Sequence, residues 1–219
     1  MLTTRQRLAA ACLLVATALF MTACSSDVSS GSDSDNIEGA DSGESNSASP
    51  SASAAAEKNA PAFDFPSDIK VTIERQPTGD AAKDEILRDV AYASQAQLEA
   101  FTEGNGQTAN MNRYFAANAR TYWADRVATL KKDGLTVTGD YRFFNFEVTD
   151  VTNDNAAVRY CEDQSKAYGK EIKTDKVLRT QPSDKDFILY TLQAAKDSAG
   201  DWQVTQQSWK KGDASCVRG

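Results

Sequence analysis

Across residues 68–74 apolar and polar side chains alternate, with Ile69, Val71 and Ile73 on one parity, which is the period of a half-buried strand. Pro77 and Gly79 close it, and the period then becomes helical. Asp80 stands where it caps a helix over 81–103, along which Ala82, Ile86, Val90, Ala91, Leu98 and Phe101 recur at helical spacing before Gly104 and Gly106. A short helix or turn is expected to hold Met111, Tyr114 and Phe115. A second helical stripe follows in Ala119, Trp123, Val127 and Leu130, with Lys131 and Lys132 at its negative C-terminal end and Gly134 as the stop.

After Gly134 the period falls to two. Leu135, Val137, Tyr141 and Phe143 share one face of a long strand, whereas Phe144, Phe146 and Val148 take the other parity. One extra residue near Phe143 and Phe144, a bulge, accounts for the switch and bends the strand. Asn153, Asp154 and Asn155 read as a turn into a strand over 156–168. Further strands are expected over 187–195 and 202–209, joined by a turn containing Asp197, Ser198 and Gly200. Helices followed by a curved antiparallel meander define an α+β class.

The N-terminal end has a different character. Arg5 and Arg7 precede an uncharged apolar run over residues 8–21, too short to span a bilayer, and small residues then lead to Cys24. Residues 1–23 therefore read as a signal peptide. Met21-Thr22-Ala23-Cys24 resembles a bacterial lipobox, which makes Cys24 the lipidated first residue of the mature chain and discards Cys12 with the signal. Residues 24–60 carry serine, alanine, glycine and acid, with Val28 and Ile37 the only sizeable apolar side chains. That composition predicts a disordered spacer with a reach of about 30 to 35 Å. Residues 61–219 are long enough for one domain with its own core.

Cysteine and histidine content narrows the chemistry. Cys161 and Cys216 remain after Cys12 and Cys24 are assigned, in a compartment where disulfides persist, and are expected to be paired. The chain has no histidine, which removes Ser-His-Asp and Cys-His catalysis and His-ligated zinc. No metal or cofactor is expected. With 24 basic against 31 acidic residues and a net charge of -7, nucleic acid is not an expected partner. Lys166, Lys170, Lys173, Lys176 and Arg179 make a locally basic stretch, read as a solvated loop between strands.

Three segments carry a family resemblance. They are Gly134-Leu135-Thr136-Val137-Thr138-Gly139, then Ala156-Ala157-Val158-Arg159-Tyr160-Cys161-Glu162-Asp163-Gln164-Ser165, and Gly200-Asp201-Trp202-Gln203-Val204 ahead of the last cysteine. Together they resemble an actinobacterial set of small lipoproteins within the NTF2-like (SnoaL-like) superfamily, over about residues 80–216. The resemblance implies a cone in which N-terminal helices pack into a strongly curved antiparallel sheet with a pocket at its open end. It implies no activity, since one fold hosts many functions.

Within such a cone Tyr92, Trp123, Tyr141, Tyr190 and Trp209 are candidate pocket residues, weighed against plain core filling. Asp163 is the candidate for chemistry, because it shares a strand face with Cys161 and Ser165 and because ketosteroid-isomerase-like relatives use a carboxylate base with a tyrosine. The competing account has Asp163 and Ser165 satisfying polar neighbours beside the disulfide. The expected function is a lipid-anchored module on the outer face of the cell membrane, non-catalytic, holding a small apolar ligand or an envelope protein. A proton-transfer enzyme and a subunit of an envelope assembly are the alternatives.

Overall fold

The computed structural model describes residues 60–219. The segments expected from sequence to be a signal peptide, a lipidation site at Cys24 and a spacer up to residue 59 lie outside the described residues.

The first strand, β1 (Ile69–Ile73), leads to α1 (Ala81–Glu103). Asp80 caps α1 as its sequence position predicts, its carboxylate accepting from the Ala82 and Lys83 amides at 2.9 and 3.3 Å. Gly104 ends the helix at φ +62°, a left-handed conformation in which the glycine amide donates to the Ala100 carbonyl. Two further helices, α2 (Ala109–Tyr114) and α3 (Ala117–Lys132), complete the helical layer.

Five more strands follow: β2 (Leu135–Val151), β3 (Asn155–Glu171), β4 (Val177–Leu178), β5 (Phe187–Lys196) and β6 (Trp202–Lys211), with a terminal turn of helix, α4 (Ala214–Val217). The sheet order is β1-β2-β3-β5-β6, with β4 paired to β3. The architecture is α+β, with α1, α2 and α3 laid on one face of a bent sheet. The sheet is mixed rather than purely antiparallel, because β1 joins β2 in parallel from Ile69 opposite Gly139 to Ile73 opposite Phe143. The connection from β1 to β2 runs through all three helices, and that crossover permits the parallel pairing.

The bend lies in the β2–β3 ladder. Its register shifts between Phe144 and Glu147, where β2 takes three steps against two on β3, and Asn145 sits there with φ +53°. The bulge is thus at Asn145, just beyond the pair expected from the sequence. Tyr141 and Phe143 face the core before it, and Phe146 and Val148 pack on the same core after it. Phe144 goes the other way and covers the disulfide on the outer face.

A second shift, between Asp140 and Arg142, adds a residue to β3 and flips its parity beyond Ser165. Strand β3 also runs to Glu171, so Lys166 and Lys170 of the basic stretch are strand residues and not part of a loop. Lys173 lies in the turn that follows, and Lys176 and Arg179 flank β4 in irregular backbone.

Candidate functional site

A cavity of about 440 Å³ opens between α1 and the bent half of the sheet. Its walls are mixed: Leu98 and Phe101 from α1, Leu130 from α3, and Val137 and Phe143 from β2 supply apolar surface, and Gln97, Thr136, Gln164 and Lys211 are among the polar residues between them. The volume lies within the range that takes small organic ligands. At its inner wall stands Glu162.

The register puts Glu162 there. Ile73, Phe143, Glu162, Ile188 and Lys211 are paired in turn across β1, β2, β3, β5 and β6, so all five project to one face. Glu162 is 4% exposed. Its Oε1 accepts from Gln164 Nε2 at 2.9 Å, and its Oε2 is buried with no hydrogen bond of ordinary geometry. Burial pushes its pKa up, against the opposing effects of the Gln164 amide, the Tyr190 hydroxyl and the Lys211 charge. Tyr141, Tyr160 and Tyr190 are raised as well, each chiefly by burial and also by the nearby Glu162 carboxylate, so these phenols hold their protons. Tyr190 and Tyr160 stack at 4.9 Å, and Tyr160 stacks in turn on Phe146 at 5.1 Å. The result is one buried carboxyl among neutral phenols at the wall of a chamber of mixed lining. Such a group can bind a polar head or exchange a proton with one.

The sequence candidates scatter around this chamber. Tyr141 lines it, and Tyr190 stands beside Glu162. Tyr92 belongs to a separate, more polar cleft with Arg88, Asp89 and Arg113. Trp123 is core, its Nε1 donating to Gln207 Oε1 at 3.0 Å. Trp209 is 40% exposed and packs on Tyr122 and Trp123 at the edge of the sheet. Asp163 lies on the opposite face of β3 from Glu162, in a shallow groove with Lys70, Arg142 and Ser165, where its carboxylate accepts from the Ser165 amide at 2.8 Å. The sheet separates Asp163 from the chamber, so the satisfied-polar account fits its surroundings. Cys161 and Cys216 are joined by a disulfide across 55 residues and are packed with Phe144.

Glu162 was the residue overlooked. The signal was present in the parity of Ala156, Val158, Tyr160 and Glu162, where an acid continues an apolar face. Among the described residues no group of three or more His, Cys, Asp or Glu side chains is placed to hold a metal.

No family model and no curated protein matches the chain. Solved structures do. The intermembrane-space region of the chloroplast protein ARC6 is 17% identical, with 62% of this chain and 99% of that one covered at a TM-score of 0.41. A ketosteroid isomerase-like protein from Erwinia carotovora atroseptica is 19% identical, with 59% and 98% covered at 0.39. A nuclear transport factor 2 (NTF2-like) superfamily protein from Salmonella enterica serovar Typhimurium is 7% identical, with 60% and 94% covered at 0.40. The present chain is similar to these in chain path.

Proposed function

We propose that this chain is an exported lipoprotein, held at the outer face of the cell membrane by an acylated Cys24, whose folded part binds a small, mainly apolar ligand in the chamber beside Glu162. The observation that carries the ligand reading is the chamber itself: about 440 Å³ of space with apolar and polar wall residues and one buried carboxyl oxygen that makes no hydrogen bond of ordinary geometry. A domain serving only as a scaffold gains stability by filling such a space, because empty volume costs packing energy. The anchoring part rests on the basic start, the apolar run and the small residues ahead of Cys24.

Indole, neutral and apolar, is a suitable probe for the first part. Its titration should shift the methyl resonances of Leu98, Leu130 and Val137, and scattered or absent shifts would remove the ligand reading. For the anchor, Cys24→Ser should move the protein out of the membrane fraction. An unchanged distribution removes that part alone.

A second reading is favoured by one specific feature, the raised carboxyl among neutral phenols. That environment suits proton transfer on a carbonyl compound without histidine. Turnover of a β,γ-unsaturated ketone, abolished by Glu162→Gln and untouched by Asp163→Asn, would establish it. Absence of turnover leaves the binding module as the reading.

A further inference from the structure

Two oxygens of chamber-wall residues, Glu162 Oε2 on β3 and Gln97 Oε1 on α1, are buried with no hydrogen bond of ordinary geometry, although the Tyr190 hydroxyl interacts with both side chains. Polar atoms in such positions cost free energy unless something donates to them, so what they lack indicates what the chamber is built to receive. An amide oxygen only accepts. A ligand offering a carbonyl or ether oxygen can meet Glu162 in its protonated form and still leaves Gln97 Oε1 bare. A ligand offering several N–H donors meets both.

The charges in the wall point the same way. Glu162 and Asp186 are acidic and Lys211 is the one base, so the lining is net negative when both acids are ionised. Phe101, Tyr141 and Phe143 add aromatic rings to the same wall, and such rings attract a desolvated cation.

We infer that the chamber selects amines: a small apolar body against Leu98, Leu130 and Val137, with an ammonium group donating to Glu162 Oε2 and Gln97 Oε1. The inference rests on the ligand-binding reading above and adds the chemical class of the ligand. An ammonium group there favours the ionised carboxylate, so at a pH where Glu162 is protonated in the free protein, binding displaces its proton to solvent.

The test is calorimetric titration of the full-length chain, in detergent, with tryptamine, tryptophol and indole-3-acetate. These share one apolar body and differ in the head group. Tryptamine should bind at least tenfold more tightly than tryptophol, and indole-3-acetate more weakly than either. In Glu162→Gln, a nearly isosteric change, the margin of tryptamine over tryptophol should collapse while tryptophol binds as before. As a check that needs no variant, tryptamine binding to the unaltered protein in buffers of different ionisation enthalpy should report proton release, and tryptophol binding should report none. Equal affinities for tryptamine and tryptophol, or a margin that survives Glu162→Gln, would overturn the amine assignment and leave the chamber a ligand site of another class. Failure of tryptamine, tryptophol and indole alike to bind would instead overturn the ligand-binding reading.

Discussion

Cys161 and Glu162 are neighbours on β3, and their side chains leave it in opposite directions: the sulfur to Cys216 beneath Phe144, the carboxyl into the chamber. One strand thus carries the covalent staple on its outer face and the buried carboxyl on its inner one. The two features should be separable by mutation.

Replacing both Cys161 and Cys216 with alanine opens a link across 55 residues. On the chain-entropy account that costs on the order of 4 kcal/mol. Urea unfolding of the double variant should show this loss, while tryptophol affinity measured well below the transition should stay within a few-fold of the unaltered protein. A large loss of affinity with stability retained would contradict the separation.

Glu162 should also mark the stability profile. The groups on its side of the sheet are Tyr141, Tyr160 and Tyr190, the Gln97 and Gln164 amides, Lys211 and, in the same chamber wall, Asp186, while the charge of Asp163 acts from the opposite face. A carboxyl raised by burial binds its proton more firmly folded than unfolded, so it subtracts stability as pH rises from its ordinary value of 4.5 through the raised folded value. Glu162→Gln removes that loss. Below about pH 4 the two proteins should be equally stable, and above the folded value the variant should be the more stable, on the order of 1 kcal/mol for relief of a poorly satisfied buried group. Asp89, raised mainly by burial, contributes with the same sign in both proteins and cancels in the difference. Thermal melts at matched pH values test it, and a variant less stable than the unaltered protein at pH 8 would contradict it.

The elements were legible in sequence because their periods are strong: α1 ends at the glycine predicted, and the strand face of Ile69, Val71 and Ile73 packs on the core. The chamber was less so, for a physical reason. Side-chain parity is decided by local register, and three shifts in the β2–β3 ladder reset it, among them one at Asn145 on β2 and one on β3 beyond Asp163. Grouping Asp163 with Cys161 and Ser165 was sound as parity, since all three do share a face. What sequence could not decide was which face held the core. Cys161 is 2% exposed yet belongs to the small outer cluster, so a buried cysteine pointed to the wrong side. Trp209 fails as a pocket residue for a different reason, since β6 is an edge strand and no further strand covers the ring.

Gly139 is required where β1, β2 and β3 meet. Its φ is +103°, and a Cβ built on it would stand 2.1 Å from the Lys166 carbonyl oxygen. Its amide donates to the Asp68 carbonyl at 2.9 Å, which ties the start of β1 to the sheet. Gly139→Ala therefore adds both backbone strain and a collision with main chain, which cannot step aside as a side chain would. The expected cost is about 3 kcal/mol, read as a lower urea midpoint. Gly134→Ala is the control, with φ +76° but open space around the added Cβ, and it should cost about 1 kcal/mol.

Asp89 is the polar group on which the helix–sheet junction depends. It lies on α1 at 1% exposure, accepts from the Trp202 amide at 2.9 Å and from Arg88 Nε at 2.8 Å, and so fixes the first residue of β6 against the helix. Burial raises its pKa while these two donors hold it back, which makes it a carboxyl tolerated because it is bonded and not because it is solvated. Asp89→Ala leaves the Trp202 amide without its acceptor and Arg88 without its nearest carboxylate. A hydrogen bond to a charged acceptor contributes about 1.5 to 3 kcal/mol, so the variant should lose on the order of 3 kcal/mol in urea unfolding. Asp89→Asn keeps an acceptor for the amide and should lose about half as much. Amide exchange at Trp202 gives the local readout: it should accelerate in Asp89→Ala well beyond the change at Leu192 on β5, whose amide is remote from the substitution. Equal acceleration at the two positions would mean that the side chain stabilises the fold globally and does not pin this junction.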